Sequence, residues 1–358
     1  ESNIKPGNRD ELFTNAIQPS VTANWTIFDG FRVNITKRNL EALEELSLGN
    51  AALVVENTIQ SILLSYYNVL LQNEKLAVFG EVKNLSRDRL KYVQTRKEFG
   101  SATTFDVLQA NDAYLTDSVN YLQQELAIQN SMLLLKLLMA FDENETFELV
   151  DEFDFDYAVY NLDDLKAKLL NNNRNLMNLY INQQILENSI ELSRGQMLPG
   201  LYFNSGADYS NTRYKYTGED ASSRYAFGYY ANFTLSFNIY NGGATKRAIQ
   251  NSMIRENIGL ISIAELQKSF TNLLITQFDL YTIRKRLFDV AVSAQESSGL
   301  NLSIAEEKFK SGAINSFNFR DIQLNYAAAS IRRLEALYNL IDTNTELLRL
   351  TGGIINMD

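Results

Sequence analysis

The chain has 358 residues, with 33 Lys and Arg against 43 Asp and Glu for a net charge of −10, and it has neither cysteine nor histidine. That composition removes thiol nucleophiles, Cys/His zinc sites, imidazole acid–base work and disulfide staples, and an acidic balance without a basic cluster argues against a nucleic-acid partner. The nearest approach to a long apolar run, Met132 to Phe141, is broken by Lys136, so a transmembrane helix is excluded and only a barrel would place the chain in a bilayer.

In chain order, residues 1–20 are polar, contain Pro6, Gly7 and Pro19, and read as a loop. Val21, Ala23, Trp25 and Ile27 then alternate with Thr22, Asn24 and Thr26, which predicts a strand over 21–29 with one apolar face. From residue 31 to 98 the pattern turns helical. Val55, Ile59, Ile62, Tyr66, Val69 and Leu76 recur at steps of four and three, the seam of a helix that supercoils against neighbours. Gly80 interrupts that seam at a cost of about 1 kcal/mol relative to Ala. Phe99-Gly100-Ser101-Ala102 predicts a hinge over 99–103, followed by a returning helix over 104–140.

Residues 142–160 form an acidic linker in which Phe153, Phe155 and Tyr157 alternate with acids. It lacks the Gly and final Glu of an EF-hand loop, so it reads as a solvated, strand-like surface segment before a cation site or a catalytic carboxylate pair. Beyond it come a helix over 162–196 closed by Pro199, a strand over 201–209, a polar loop over 211–226 and a strand over 228–240. The apolar positions Tyr229, Ala231, Phe233, Leu235, Phe237 and Ile239 alternate over a stretch longer than the 9–11 residues that cross a bilayer core at a tilt. A long helix over 243–310, a hinge over 311–315 at Ser311-Gly312-Ala313 and a returning helix over 316–350 complete the chain, which closes through Thr351-Gly352-Gly353.

The sequence says this twice. Gly30 and Gly242, which follow the strands, and Gly100 and Gly312, at the hinges, stand the same 212 residues apart. Leu115, Val119, Leu122 and Leu126 answer to Ala327, Ile331, Leu334 and Tyr338 at that offset. The expected domains are therefore repeat 1 over 1–141, the linker over 142–160 and repeat 2 over 161–358. Repeat 1 lacks a counterpart of the helix and strand at 162–209, so a helix and strand upstream of Glu1 are expected. Each long helix, at about 1.5 Å per residue, is a rod of about 100 Å that needs partner rods alongside. Three or four strands do not close a barrel, so copies of the same chain must satisfy their edges. Trp25, Tyr202, Tyr209 and Tyr229 gather at strand ends, consistent with an interfacial aromatic girdle or simply with a Tyr-rich composition.

The order of strand, aromatic-(Asp/Asn)-Gly, long helix, glycine hinge and returning helix, given twice, resembles the TolC outer-membrane efflux channel family. The resemblance rests on residues 25–30, 96–110, 237–243, 309–324 and the closing Leu350-Thr351-Gly352. It implies a mainly α fold with membrane β: a homotrimer whose strands, four per copy, share one barrel in outer-membrane lipid, over a periplasmic tube of coiled-coil helices. It further implies a passive conduit of a tripartite efflux or type I secretion system in Gram-negative bacteria, docking with a periplasmic adaptor (membrane fusion) protein and an inner-membrane RND or ABC-type pump. No enzyme activity and no cofactor are implied.

In that family acids on the second hairpin ring the pore, and a network between the hairpins keeps it shut. Asp321 matches one ring acid, and Asn318 stands where a second is usual. Asp106 matches a network acid, Phe309 takes the place of a network Tyr, and Ile314 replaces an Arg. A charge latch between Ile314 and Asp106 is thereby lost, and apolar closure by Ile314, Phe309 and Phe317 is the expectation. Asp321 reads equally as a solvated helix residue. The turns Phe99-Gly100-Ser101 and Ser311-Gly312-Ala313 match the family's adaptor-docking tips, and their glycines also serve as helix caps. A soluble coiled-coil scaffold or a helical pore-forming toxin is the alternative; neither accounts for the repeat.

Overall fold

The computed structural model describes residues 12–142, 145, 147–216 and 220–354. The elements in order are β1 (Leu12–Ile17), β2 (Ser20–Phe28), α1 (Arg32–Glu98), α2 (Thr104–Leu138), α3 (Leu162–Asn172), α4 (Arg174–Gly195), β3 (Gly200–Tyr216), β4 (Ser222–Ser236), α5 (Ala244–Lys310) and α6 (Ser316–Leu350). The chain divides into two compact units. One takes Glu1–Leu46 and Tyr180–Ser262, the other Ser47–Leu179 and Ile263–Asp358. Each draws on both halves of the sequence, a different division from the repeats.

In the first unit β3 is the central strand. It pairs antiparallel with β4 along one edge and with β1 and β2 along the other. β1 and β2 lie in one register, Ile17 opposite Asn211 and Ser20 opposite Asp208. Gln18 and Pro19 between them break only the ladder: Pro19 accepts from the Tyr209 N–H at 3.1 Å but has no N–H to return. The expected loop over 1–20 is therefore strand from Leu12 onward, and residues 1–11 lie outside the described residues. The expected loop over 211–226 is likewise strand on both sides of residues 217–219, which also lie outside them. Tyr, Thr and Arg there pair across the hairpin, Asn211 with Tyr225 and Thr212 with Arg224, and a strand with polar side chains on both faces has the composition of a turn.

β4 ends at Ser236, short of the expected residue 240. Its last partner is Gly200, behind which Pro199 offers no donor, so Phe237 and Ile239 have no strand beside them on that edge.

The passage from β2 into α1 is tight. Gly30 and Phe31 both take left-handed backbone, φ 73° and 68°, and the Phe31 ring meets Phe28 edge-on at 5.1 Å. A Cβ on Gly30 would lie 2.4 Å from the Gly195 carbonyl oxygen, so the start of α1 and the end of α4 approach too closely for any other residue.

In the second unit α6 is the most buried helix. Leu334, Leu337 and Ile341 pack with Leu70, Leu71 and Phe153, while Leu340, Leu347 and Leu350 pack with Leu165, Leu169, Leu274 and Tyr281. The predicted helix over 162–196 is broken at Asn173. Its buried side chain donates to the Leu350 carbonyl at 2.9 Å and accepts from the Leu176 N–H at 3.1 Å, capping α4 while holding the end of α6.

The described residues of the acidic linker form no strand. Leu149, Phe153 and Phe155 turn inward onto one core and Tyr157 and Tyr160 onto the next. Tyr66 donates to Asp151, and burial, with that carboxylate, pushes the Tyr66 hydroxyl up to about 12. Glu143, like the other residues of 143, 144 and 146, lies outside the described residues.

α2 differs most from its expected counterpart. It buries Ala110, Asp117, Gln124 and Ser131 at steps of seven, a polar seam, and leaves Leu115, Val119, Leu122 and Leu126 exposed. The α6 positions at the same offset include Ala327 and Leu334, both buried.

Gly80 sits mid-helix with space for a methyl group, a Cβ there first meeting the Tyr121 ring at 3.4 Å. Gly80→Ala is therefore expected to raise stability by about 0.5–1 kcal/mol, measured as a higher thermal midpoint; a lower midpoint would show that the position needs glycine.

Candidate functional site

The residues singled out from the sequence for closure and docking all lie near the turns α1–α2 and α5–α6, in the second unit. Both turns have the same build. Gly100 donates to Lys97 at 2.9 Å and Ser101 to Arg96 at 2.8 Å; Gly312 donates to Phe309 at 3.0 Å and Ala313 to Lys308 at 2.8 Å. With φ of 72° and 75° at the two glycines, each is a Schellman cap that satisfies the last carbonyls of a long helix. A Cβ on either glycine would meet nothing within 4 Å, so both glycines face open space. Phe99 projects from the first, 82% exposed.

The outgoing helices are capped in turn. The Thr103 hydroxyl accepts from the Asp106 N–H at 3.2 Å, and the Asp106 carboxylate accepts from the Thr103 N–H at 2.8 Å, a closed capping box. These backbone and hydroxyl hydrogen bonds, with Arg96 adding a smaller attraction, hold the Asp106 carboxyl below its ordinary range. Asn315 caps α6 by accepting from the Asn318 N–H at 2.9 Å.

The two hairpins are joined by an apolar cluster of Val93, Ala110, Leu302, Ala305, Phe309 and Phe319. Phe309 is buried there, stacked on Phe319 at 4.8 Å and edge-on to Tyr92 at 5.1 Å, and Ile314 packs against the same cluster. Phe317 points away and is exposed, so the expected apolar trio is split. Asp321 and Asn318 are exposed, and Asp321 accepts from the Asn325 amide at 3.3 Å.

Sequence reasoning missed the polar link beneath this cluster. Arg320 of α6 grips Asp117 of α2 with both terminal guanidinium nitrogens, at 2.6 and 2.7 Å. Ser86 of α1 donates to the same carboxylate and accepts from Arg320 at 3.1 Å. Arg89 of α1 donates to Ser316, the first residue of α6, at 2.7 Å. Asp117 and Arg89 are each only 3% exposed. Burial, followed by the charge of Arg320, draws the Arg89 pKa down to about 10, with Asp117 opposing. Where three helices meet, Arg320 thus holds the one carboxylate, and Arg89 lies near enough to feel both charges while bonding Ser316. The signal was available: Asp117 falls on the seven-residue seam with Ala110 and Gln124, and a lone acid on a packing seam requires a buried partner.

On the sheet, Trp25, Tyr209 and Tyr229 share one face, whereas Tyr202 belongs to the other, which corrects its grouping with the girdle.

No protein-family profile and no curated protein sequence matches the chain. Among solved structures it is similar to the CmeC outer membrane channel of Campylobacter jejuni, at 12% identity with a TM-score of 0.74 over 96% of this chain and 78% of that one. It is similar also to the outer-membrane channel OprN, at 11% identity and a TM-score of 0.78 over 96% and 81%. The open state of the Neisseria gonorrhoeae MtrE outer membrane channel aligns at 12% identity and a TM-score of 0.73 over 96% and 81%.

Removing one partner of the buried pair, as in Asp117→Ala, strands a charge and is expected to cost about 3–5 kcal/mol in chemical denaturation, while the paired apolar change Asp117→Leu with Arg320→Met recovers most of it; equal losses in the single and double variants would exclude the link. Thr103→Ala is expected to speed amide exchange in the first turn of α2. Because the folded pKa of Asp106 is lowered, its contribution is present above the ordinary value near 4 and fades as pH falls through the lowered one, so the exchange difference between wild type and variant shrinks in acid. The chain has the fold of the TolC-type outer-membrane channels.

Proposed function

We propose that three copies of this chain form a passive conduit through a Gram-negative outer membrane, with their strands in a shared barrel and their helices in a periplasmic tube. In this reading the conduit serves a tripartite efflux or type I secretion system, meets a periplasmic adaptor at the tips Phe99-Gly100-Ser101 and Ser311-Gly312-Ala313, and receives cargo from an inner-membrane RND or ABC-type pump.

The observation that carries the reading is the apolar face of the sheet. From the row of Leu201 and Leu235 to the row of Ile17, Asn211 and Tyr225, that face bears no charge, and Trp25, Phe203, Phe227, Tyr229 and Phe233 lie within it. Ten residues of strand span about 33 Å. At the 35–45° tilt of outer-membrane strands this gives a band about 25 Å tall, the height of their lipid belt. Arg213 and Lys215 follow on the same face, where the band should meet water. A half-buried strand of a soluble sandwich has no use for Trp25 at 71% and Tyr229 at 82% exposure.

Two further features support assembly. Among the described residues the sheet is three strands wide, with the outer edges of β1, β2 and β4 unpaired, and hydrocarbon does not tolerate such edges. The leucine face of α2 needs a covering helix, which a neighbouring copy would supply. The equal lengths of α1 and α5, 67 residues each, and of α2 and α6, 35 each, support the reading of a duplicated unit.

Closure in this reading combines the packing of Phe309 and Ile314 of the second hairpin with Tyr92, Val93 and Ala110 of the first and the Asp117–Arg320 grip, both of which tie the two hairpins together within one copy. Asp321, with Asn318 a turn before it, lies on the outward side of α6, where three copies would ring the entrance and favour cations. The purified chain is expected to require detergent and to cross-link as a trimer. In planar bilayers Ile314→Ser should raise conductance severalfold, and Asp321→Asn should lower the preference for cations over anions. A water-soluble monomer would end the proposal; unchanged conductance in Ile314→Ser would remove the apolar closure alone.

A further inference from the structure

The face of the sheet opposite the lipid band has an order of its own. Asn24, Asn204 and Asn232 stand opposite one another across all three strands, one amide per strand in a single row. The row to one side is Thr26, Tyr202 and Thr234; the row to the other is Thr22, Gly206 and Tyr230. The Asn204 amide donates to the Thr234 hydroxyl at 3.5 Å, a weak bond that leaves most of its capacity open. No side chain in these three rows carries a charge. The nearest on this face, Asp208 and Arg224, lie beyond the Thr22 row.

The two tyrosines do not stand up from the sheet. A Cβ on Gly206 would meet the Tyr230 ring at 2.7 Å, and one on Gly200 would meet the Tyr202 ring at 2.8 Å. Each ring therefore leans over a glycine with its hydroxyl end close to the backbone, in space that a Cβ would fill, and Tyr230 is still 48% exposed. The result is a row of uncharged amides flanked by two tyrosines leaning over glycines and edged by threonine hydroxyls.

We propose that these three rows form a contact surface for neutral, hydroxylated solutes, with oligosaccharides as the fitting class. The inference rests on the reading given under Proposed function, in which this face lines the lumen. Aromatic faces carry partial negative charge and attract the C–H face of a sugar ring. Amides both donate and accept, which matches a hydroxyl in either role. An ionised solute would find no counter-charge here and would lose hydration in entering. Three copies would set these rows around one circumference, so that a chain threading the barrel meets the same surface on every side.

The experiment is saturation-transfer NMR on the detergent-solubilised full chain, with maltohexaose as probe and hexaglutamate as its charged counterpart. Transfer into the ring C–H protons of maltohexaose is expected, with little into hexaglutamate. Asn204→Val and Asn232→Val keep strand propensity and should each weaken maltohexaose binding roughly fivefold, and Gly206→Ala, which must displace the Tyr230 ring, should reduce transfer as well. A trimeric, β-rich protein giving no transfer, or equal transfer to both probes, overturns the proposal. Full transfer retained in all three variants overturns the assignment to these rows. Cross-linking of the same samples reads the trimer separately: a monomer removes the shared barrel, and the proposal with it.

Discussion

Within hydrocarbon a strand must have both edges hydrogen-bonded, because no water is present to take up a bare N–H or carbonyl. Within the described sheet only β3 meets that requirement, flanked by β1 and β2 on one side and β4 on the other. In the proposed reading the apolar band is the surface that meets lipid, and the open edges are where further copies join. Both follow from two-residue alternation and register. A slip of one residue at β4 would carry Tyr229, Phe233 and Leu235 to the face of the asparagine row and undo both surfaces at once.

The helical unit solves a different problem by related means. Its long helices have no globular core around them, and they are held by three apolar clusters strung along α6, α5 and α1. Beneath the cluster nearest the turns lie the Asp117–Arg320 pair and the Arg89–Ser316 bond. A bidentate pair in a buried setting is a poor source of net stability but a strong constraint on position. It fixes how the second hairpin lies on the first, which apolar contacts such as Phe309 on Tyr92 leave free to slide.

Much of this was legible in the sequence because the long helices repeat their apolar residues over many turns and end at glycines whose role is fixed by backbone geometry. The strands were legible only where alternation is apolar. Residues 211–216 and 222–226 pair as polar strand, and composition alone cannot tell a polar strand in water from a turn. The break at Asn173 was hidden because it depends on the Leu350 carbonyl, far away in sequence. The Asp117–Arg320 pair was hidden for the same reason, although the seam through Ala110, Asp117 and Gln124 already placed the acid inside. The exposed leucines of α2 run the other way: their spacing is that of a packed face, yet they stay exposed among the described residues of one copy.

That uncovered face has a further consequence. A single molecule bearing Leu115, Val119, Leu122 and Leu126 in the open, together with the aromatic belt, is effectively a detergent with a folded core. Its lifetime in solution would be set by how soon it meets either its own kind or something that shields it. Melting temperatures measured on it should then climb with protein concentration, since the unfolded and the unassociated species share one equilibrium.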